Sequence, residues 1–162
     1  MTDLQATFAA AGCGNVRTYI QSGNVVFHCP PGKLPSIFNK IRANLCDLIG
    51  GDPVVMFRTI AELQAIQKAA PFKSLEAEPK TKLYVGFLAE EPLKKPELPL
   101  VFPKEALEAI AVKNLDVFIV SRQKPNGFFG FPNNFIEKEF GVSATSRNWS
   151  TITKVVEFAS KI

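Results

Sequence analysis

The chain has 162 residues, 46% of them hydrophobic, with 19 basic against 15 acidic groups. That length suits one domain or two small similar halves, and 14 Phe supply ample material for a packed core. The surplus of positive charge is shared evenly between the halves, with no block of five like charges, which argues for an ordinary solvated surface rather than a nucleic-acid or anionic-membrane binder.

Cys13, Cys29 and Cys46 are odd in number and never closer than sixteen residues. That spacing forms no disulfide framework and no zinc ladder, so the three read as reduced, small apolar residues of a cytosolic protein. No apolar run approaches the roughly 20 residues that a membrane helix needs. Met1-Thr-Asp-Leu-Gln lacks the basic and apolar regions of a signal peptide, and the expected location is the cytoplasm.

The chain opens with a predicted helix, N-capped by Asp3, with Leu4, Phe8 and Ala11 at helical spacing and a stop at Gly12 and Gly14. Val16–Ile20 and Val25–Phe27 are β-branched and aromatic, and Gly23-Asn24 between them suits a tight turn: a hairpin. After Pro30-Pro31-Gly32, the residues Leu34, Ile37, Phe38, Ile41, Leu45 and Leu48 form a helical stripe ended by Gly50-Gly51. Pro53 leads into an expected short strand, Val54–Phe57. Thr59-Ile-Ala-Glu62 is a capping box, so a helix carries Leu63 and Ile66 to about Lys68.

Residues 71–81 are polar and hold Pro71 and Pro79, which suits a linker. Lys82–Leu88 is the next strand. Residues 90–103 contain four prolines and read as irregular. Ala106–Val112 fits a helix or a strand. Asp116–Ser121 is a strand, Phe135–Gly141 a short helix with a Gly stop, and Ser143–Arg147 a strand. The last helix starts near Asn148, an N-cap candidate, and packs through Ile152, Val155, Val156 and Ala159.

Four segments carry a family resemblance that spans essentially the whole chain: Tyr19-Ile-Gln-Ser-Gly-Asn24, Lys82-Leu-Tyr-Val-Gly-Phe-Leu88, Glu137-Lys-Glu-Phe-Gly141 and Thr145-Ser-Arg-Asn-Trp149. The first and last are the specific ones. The sequence resembles the domain-of-unknown-function family numbered 1697, a mostly bacterial group with no established activity. The resemblance implies an α+β fold of two ferredoxin-like (split βαβ) subdomains in tandem. The halves are expected at 1–70, incomplete, and at 82–162, with the terminal helix and with 71–81 between them as linker. Family members usually open with an apolar strand and a Gly-rich loop, whereas Met1 here begins at the first helix. The missing strand is central in such a sheet. A truncated chain, a closing of ranks by the remaining strands, or a strand from a partner are the alternatives, and the first half is expected to be the less stable. At Gly130-Phe131-Pro132-Asn133 the family commonly carries a Ser-Lys pair, so an anion site formed by that pair in relatives is not expected here.

His28 is the only histidine, and a general base or metal ligand needs companions, so a structural role is favoured and no metal is expected. No Gly-x-Ser-x-Gly, Gly-x-Gly-x-x-Gly or P-loop occurs, no cofactor is expected, and no catalytic constellation is recognisable. Arg147-Asn148-Trp149 is the best candidate ligand site, since a helix N-terminus offers free N–H groups and Arg147 adds a bidentate anion contact. Arg17, with Gln21, Ser22 and Asn24 of the first motif, is the companion set, on the expectation that Arg17 shares a sheet face with Arg147. The bland reading weighed against it has Asn148 capping, Trp149 packing, and Arg147 paired with a carboxylate. Lys82–Leu88 and Gly127-Phe-Phe-Gly-Phe131 together look like the two strand motifs of an RNA recognition motif, but Phe87 stands where Asn is usual and Pro132 interrupts the strand.

The favoured reading is a binding or interaction module of unknown specificity. An enzyme acting on a small anionic substrate between the subdomains is the rival, and single-stranded RNA binding the third. Among partners, a small anionic ligand or a homo-oligomer through an open sheet edge is considered, while nucleic acid and membrane are not expected.

Overall fold

The computed structural model describes residues 2–19 and 23–162. The chain divides into two compact units, Met1–Val55 together with Glu157–Ile162, and Met56–Val156.

In the first unit, α1 (Thr2–Ala10) is followed by β1 (Gly14–Tyr19), β2 (Asn24–His28) and α2 (Leu34–Ile49). Phe8 and Ala11 of the α1 stripe are buried, as the helical spacing predicts. Asp3 lies inside α1 rather than capping it, and its carbonyl accepts a hydrogen bond from Thr7 Oγ1 at 2.7 Å. The strands β1 and β2 pair antiparallel, with Tyr19 opposite Asn24 and Gly14 opposite His28. The α2 stripe buries Ile37, Ile41 and Leu45, and Gly50 ends the helix in the left-handed conformation at φ +71°, where no Cβ opposes it. Val54–Phe57, expected as a strand, forms none. A strand needs a ladder with a neighbouring strand, and among the described residues no ladder includes 54–57.

The second unit begins before α3 (Ile60–Ala69), which opens with the expected capping box: Thr59 Oγ1 accepts from the Glu62 N–H, and the Glu62 carboxylate accepts from the Thr59 N–H. Residues 71–81, read from sequence as a linker, lie inside this unit, with turns over 71–77. Then come β3 (Thr81–Leu88), β4 (Leu100–Phe102), β5 (Leu107–Lys113), β6 (Asp116–Arg122), α4 (Asn133–Phe140), β7 (Ala144–Asn148) and α5 (Trp149–Ala159). The strands form one five-stranded sheet in the order β4-β5-β6-β3-β7, antiparallel throughout. The chain is therefore α+β. The ambiguous 106–112 stretch resolves as β5, and the proline-rich stretch contains the short β4 that the sequence reading missed. Of the core positions expected in α3 and α5, Leu63, Ile66, Ile152, Val155 and Val156 are buried and Ala159 is half-buried.

Strand alternation gives the sheet two distinct faces. On one, Tyr84 and Leu88 of β3 join Ile119, Val117, Leu107 and Ala109, covered by Phe135, Ile136 and Phe140 of α4. Gly86 belongs to this face, and a Cβ there would run into the Ile136 Cδ1, so the helix seats close to the strand only because the glycine leaves room. Gly86→Ala is expected to cost about 1–3 kcal/mol by overpacking, and Ile136→Val, which removes the clashing methyl, should recover part of that loss. Urea melts of the two single variants and the double variant measure the coupling, and strictly additive losses would refute the close seat.

On the other face, Val85 of β3 lies between Phe118 of β6 and Arg147 of β7. Phe72 is fully buried here, edge-on to Phe118 at 5.8 Å and to Trp149 at 5.3 Å. At the sheet's end Arg58, just ahead of α3, reaches into the fold. Its Nε donates to Asp116 Oδ1 at 2.9 Å, and its Nη groups donate to the carbonyls of Phe57 at 2.7 Å and Leu115 at 3.1 Å. The guanidinium also sits 5.2 Å from the centre of the Phe87 ring. Burial, the largest influence, holds the Asp116 carboxyl above its ordinary range, while Arg58 pulls it back down. The arrangement satisfies a buried charge and ties the chain before α3 to the β6 end of the sheet.

Candidate functional site

The residues singled out from the sequence fall into two sets. Arg17 and Asn24 belong to the first unit. Arg17 is exposed on β1 opposite Val26, and its Nη1 donates to the carbonyl of Val16 at 3.0 Å. Asn24 opens β2, and its Nδ2 donates to the Tyr19 carbonyl at 3.2 Å across the hairpin. Gln21 and Ser22 lie outside the described residues. Arg147, Asn148 and Trp149 belong to the second unit. Arg17 and Arg147 therefore lie in different sheets, which corrects the expectation of one shared sheet face.

Arg147 is half-buried on β7, and its Nη1 donates to Thr145 Oγ1 and to the carbonyl of Ser146, each at 2.8 Å. Burial pulls its guanidinium below the ordinary arginine value. Asn148 closes β7 opposite Tyr84, exposed. Trp149 opens α5, and its Nε1 donates to Glu76 Oε1 at 3.0 Å while its ring packs on Phe72. Trp149 thus packs and meets a carboxylate. His28 is exposed, its Nδ1 within 3.1 Å of Asn15 Nδ2, and among the described residues no group of three or more His, Cys, Asp or Glu is placed to hold a metal.

The surface feature that stands out is the segment 123–131, between β6 and α4. Its turn is closed by the Gly127 N–H on the Lys124 carbonyl at 2.9 Å and the Lys124 N–H on the Phe128 carbonyl at 2.8 Å. Asn126 Oδ1 accepts from the Phe128 N–H at 3.0 Å, the side-chain turn that asparagine favours. Gln123 Nε2 donates to the Gly127 carbonyl at 2.9 Å, and Ser121 Oγ, fully buried, to the Gly130 carbonyl at 2.8 Å. Lys124 Nζ meets Glu105 Oε2 at 2.9 Å, a bond that draws the Glu105 carboxyl below its ordinary value. Gly130 packs so tightly on the Glu105 carbonyl that a Cβ there would collide with it.

This firmly held loop leaves Phe128 71% and Phe131 59% exposed. The Phe131 ring stands edge-on to Tyr84 at 5.9 Å, and Lys82 Nζ lies 4.5 Å from the centre of the Phe129 ring. Tyr84 and Phe87, the strand aromatics of the RNA-like motif, are both buried, so neither offers a stacking face on the sheet. Burial also pushes the Tyr84 hydroxyl up. The sequence reading noticed the Gly127–Phe131 run but weighed it only as a strand motif interrupted by Pro132. Its signal was composition: three Phe between turn-forming Pro-Asn-Gly and the Pro132 that closes the loop.

The description "Protein of unknown function (DUF1697)" matches residues 1–118. The chain belongs to that family. Two of the motifs that suggested it, Tyr19–Asn24 and Lys82–Leu88, lie inside the matched span, while Glu137–Gly141 and Thr145–Trp149 of this DUF1697 member lie beyond it. No curated protein and no solved structure matches the chain. Among its described residues no helix is long and apolar enough to cross a membrane.

Proposed function

We propose that the chain is an interaction module, and that a partner protein docks on Phe128 and Phe131. The observation that carries this reading is the pairing of two well-exposed aromatic rings with a backbone held by hydrogen bonds on both sides. Exposed Phe on a floppy loop costs entropy when it is ordered; on a fixed loop that cost is already met before binding. Aromatic anchors of this kind dominate interface energies, at about 2 kcal/mol or more each, so truncating both should weaken association roughly 700-fold. The test is a photoreactive side chain placed at Asn126, with the adducts formed in the producing cell identified by mass. A discrete protein adduct that disappears in Phe128→Ser/Phe131→Ser supports the reading. The exposed Leu93, beyond the other end of α4, is the control: an adduct equally lost in Leu93→Ser, or no adduct at all, overturns it.

Lys82 beside the aromatic loop favours a second reading, single-stranded nucleic acid stacked on the Phe rings. Fluorescence polarisation with single-stranded RNA at low salt separates the two, since only this reading expects saturable binding that the double Phe variant abolishes. A third, a small anion at Arg147, is weaker, because the guanidinium would have to leave Thr145 Oγ1 and the Ser146 carbonyl to reach it.

The architecture we favour for this module remains a pair of ferredoxin-like halves. The order β5-β6-β3-β7 supports it for the second half, since the first strand of that series, β3, lies between its third and fourth. The crossover helix of that unit gives way to the proline-rich stretch with β4. In the first half, the hairpin β1–β2 is the part of the expected sheet that forms a ladder among the described residues.

A further inference from the structure

We infer that Cys13 and Cys29 are a reversible dithiol–disulfide pair that locks the open end of the β1–β2 hairpin. In sequence the two are sixteen residues apart and read as isolated apolar thiols. The strand register changes that. Gly14 lies opposite His28 in the antiparallel pair, so one step outward sets Cys13 opposite Cys29. The strands run close there, since a Cβ on Gly14 would lie 3.8 Å from the His28 Cβ.

The hydrogen bonding also fits. The Cys13 N–H donates backward to the Phe8 carbonyl of α1 at 3.2 Å, so the two cysteines do not exchange a pair of ladder bonds. Facing residues in an antiparallel ladder have Cα atoms about 4.5–5.5 Å apart, and one step beyond its last pair the roughly 4.4–6.8 Å window that a disulfide requires is within reach. Both thiols are free in this structure. They differ in access: Cys13 is buried, and Cys29 is half-buried with its Sγ directed to the Pro30 carbonyl at 3.5 Å. Burial pushes the Cys13 thiol up, and the nearby Cys29 adds to this, as expected of neighbouring sulfurs.

The order of events follows from access. The oxidant is a low-molecular-weight disulfide, RSSR. Cys29 loses its proton to water, and its thiolate attacks one sulfur of RSSR; a mixed disulfide forms and one thiolate RS⁻ departs, taking up a proton. Cys13 then loses its proton and attacks Cys29 Sγ; the Cys13–Cys29 bond forms and the second RS⁻ departs and is protonated. The protein dithiol is oxidised and RSSR is reduced to two RSH. Because Cys13 is bonded to the end of α1 and Cys29 stands before the Pro30-Pro31-Gly32 turn into α2, the new bond ties both helix junctions together.

Incubating the full chain in oxidised glutathione and mapping its peptides by mass tests the inference. The expected product is one intramolecular bond between Cys13 and Cys29, reversed by excess reduced glutathione, with Cys46 left out of it. The first unit's thermal midpoint should rise on the order of 5–10 °C, since a loop of that length is closed in the unfolded chain. Cys13→Ser should trap glutathione on Cys29, and Cys29→Ser should leave Cys13 a free thiol. Wild type that stays a dithiol, stops at a glutathione adduct, or links through Cys46 overturns the inference. Because Cys13→Ser alters a buried site, the wild-type and Cys29→Ser peptide maps decide the matter without it.

Discussion

Arg58→Ala is expected to destabilise the second unit by about 3–5 kcal/mol, the usual consequence of leaving a buried charge without its partner. Arg58 and Asp116 have side chains only 13% and 7% exposed. Removing the guanidinium strands the carboxylate and takes one donor each from the carbonyls of Phe57 and Leu115, the latter still held by the Leu88 N–H. Asp116→Asn keeps the shape but leaves the buried Arg58 cation unpaired, held only by the backbone carbonyls and the Phe87 ring, so its loss should approach the same about 3–5 kcal/mol. The pH dependence distinguishes these origins. Burial holds the folded-state Asp116 carboxyl above its unfolded value, and Arg58 opposes that rise. Without Arg58 the carboxyl moves higher still. A carboxyl raised in the folded state contributes its full stability below the unfolded value and loses it as pH climbs through the folded one. The Arg58→Ala deficit should therefore be largest at about pH 7 and shrink towards about pH 4, where Asp116 takes up a proton. Urea midpoints at the two pH values check this, and a deficit independent of pH would show that Arg58 acts by packing alone.

Phe72→Ala should cost a similar amount, about 3–5 kcal/mol, as a full-size aromatic removed from a closed site. Phe72 has no exposed surface and bridges Phe118 on the sheet to Trp149 at the start of α5. Trp149 is the only tryptophan, so its emission should shift to the red in the variant while the chain is still folded. Chemical denaturation followed by fluorescence and by circular dichroism measures both effects together. A loss below about 1 kcal/mol would mean that the 71–77 turns contribute little to the unit's core.

Much of the fold is legible from local rules. The α2 stripe and its Gly50 stop, the Thr59–Glu62 capping box, and the apolar runs of β3 and β6 each state their structure within a short stretch of sequence. The failures have a shared cause. Asp3 was taken as a cap because its residue type favours that position, but the helix begins one residue earlier. Val54–Phe57 has strand chemistry, yet a strand is a property of two segments and its neighbour is missing among the described residues. Residues 106–112 satisfied both periodicities, and only pairing with β6 decided for a strand.

The candidate site was less legible for the same reason. Arg147 and Trp149 were found, but not that Glu76 would take the indole N–H from seventy-three residues away. Arg58 drew no notice, since nothing near it in sequence announces Asp116. Phe128 and Phe131 were seen as aromatics; that they point outward depends on Gly130 lying flat against Glu105, a contact between distant segments. The nearness of Cys13 to Cys29 likewise emerges only from the register of β1 on β2, whose last pair is Gly14 with His28.

The first unit gathers Met1–Val55 and Glu157–Ile162, and Phe158 lays its ring 5.4 Å from Tyr19. During synthesis, then, residues 1–55 lack part of their packing until residues 157–162 have emerged. At about 5–20 residues per second the roughly hundred intervening residues take several seconds, long enough for chaperones to meet a half-packed hairpin and its helices.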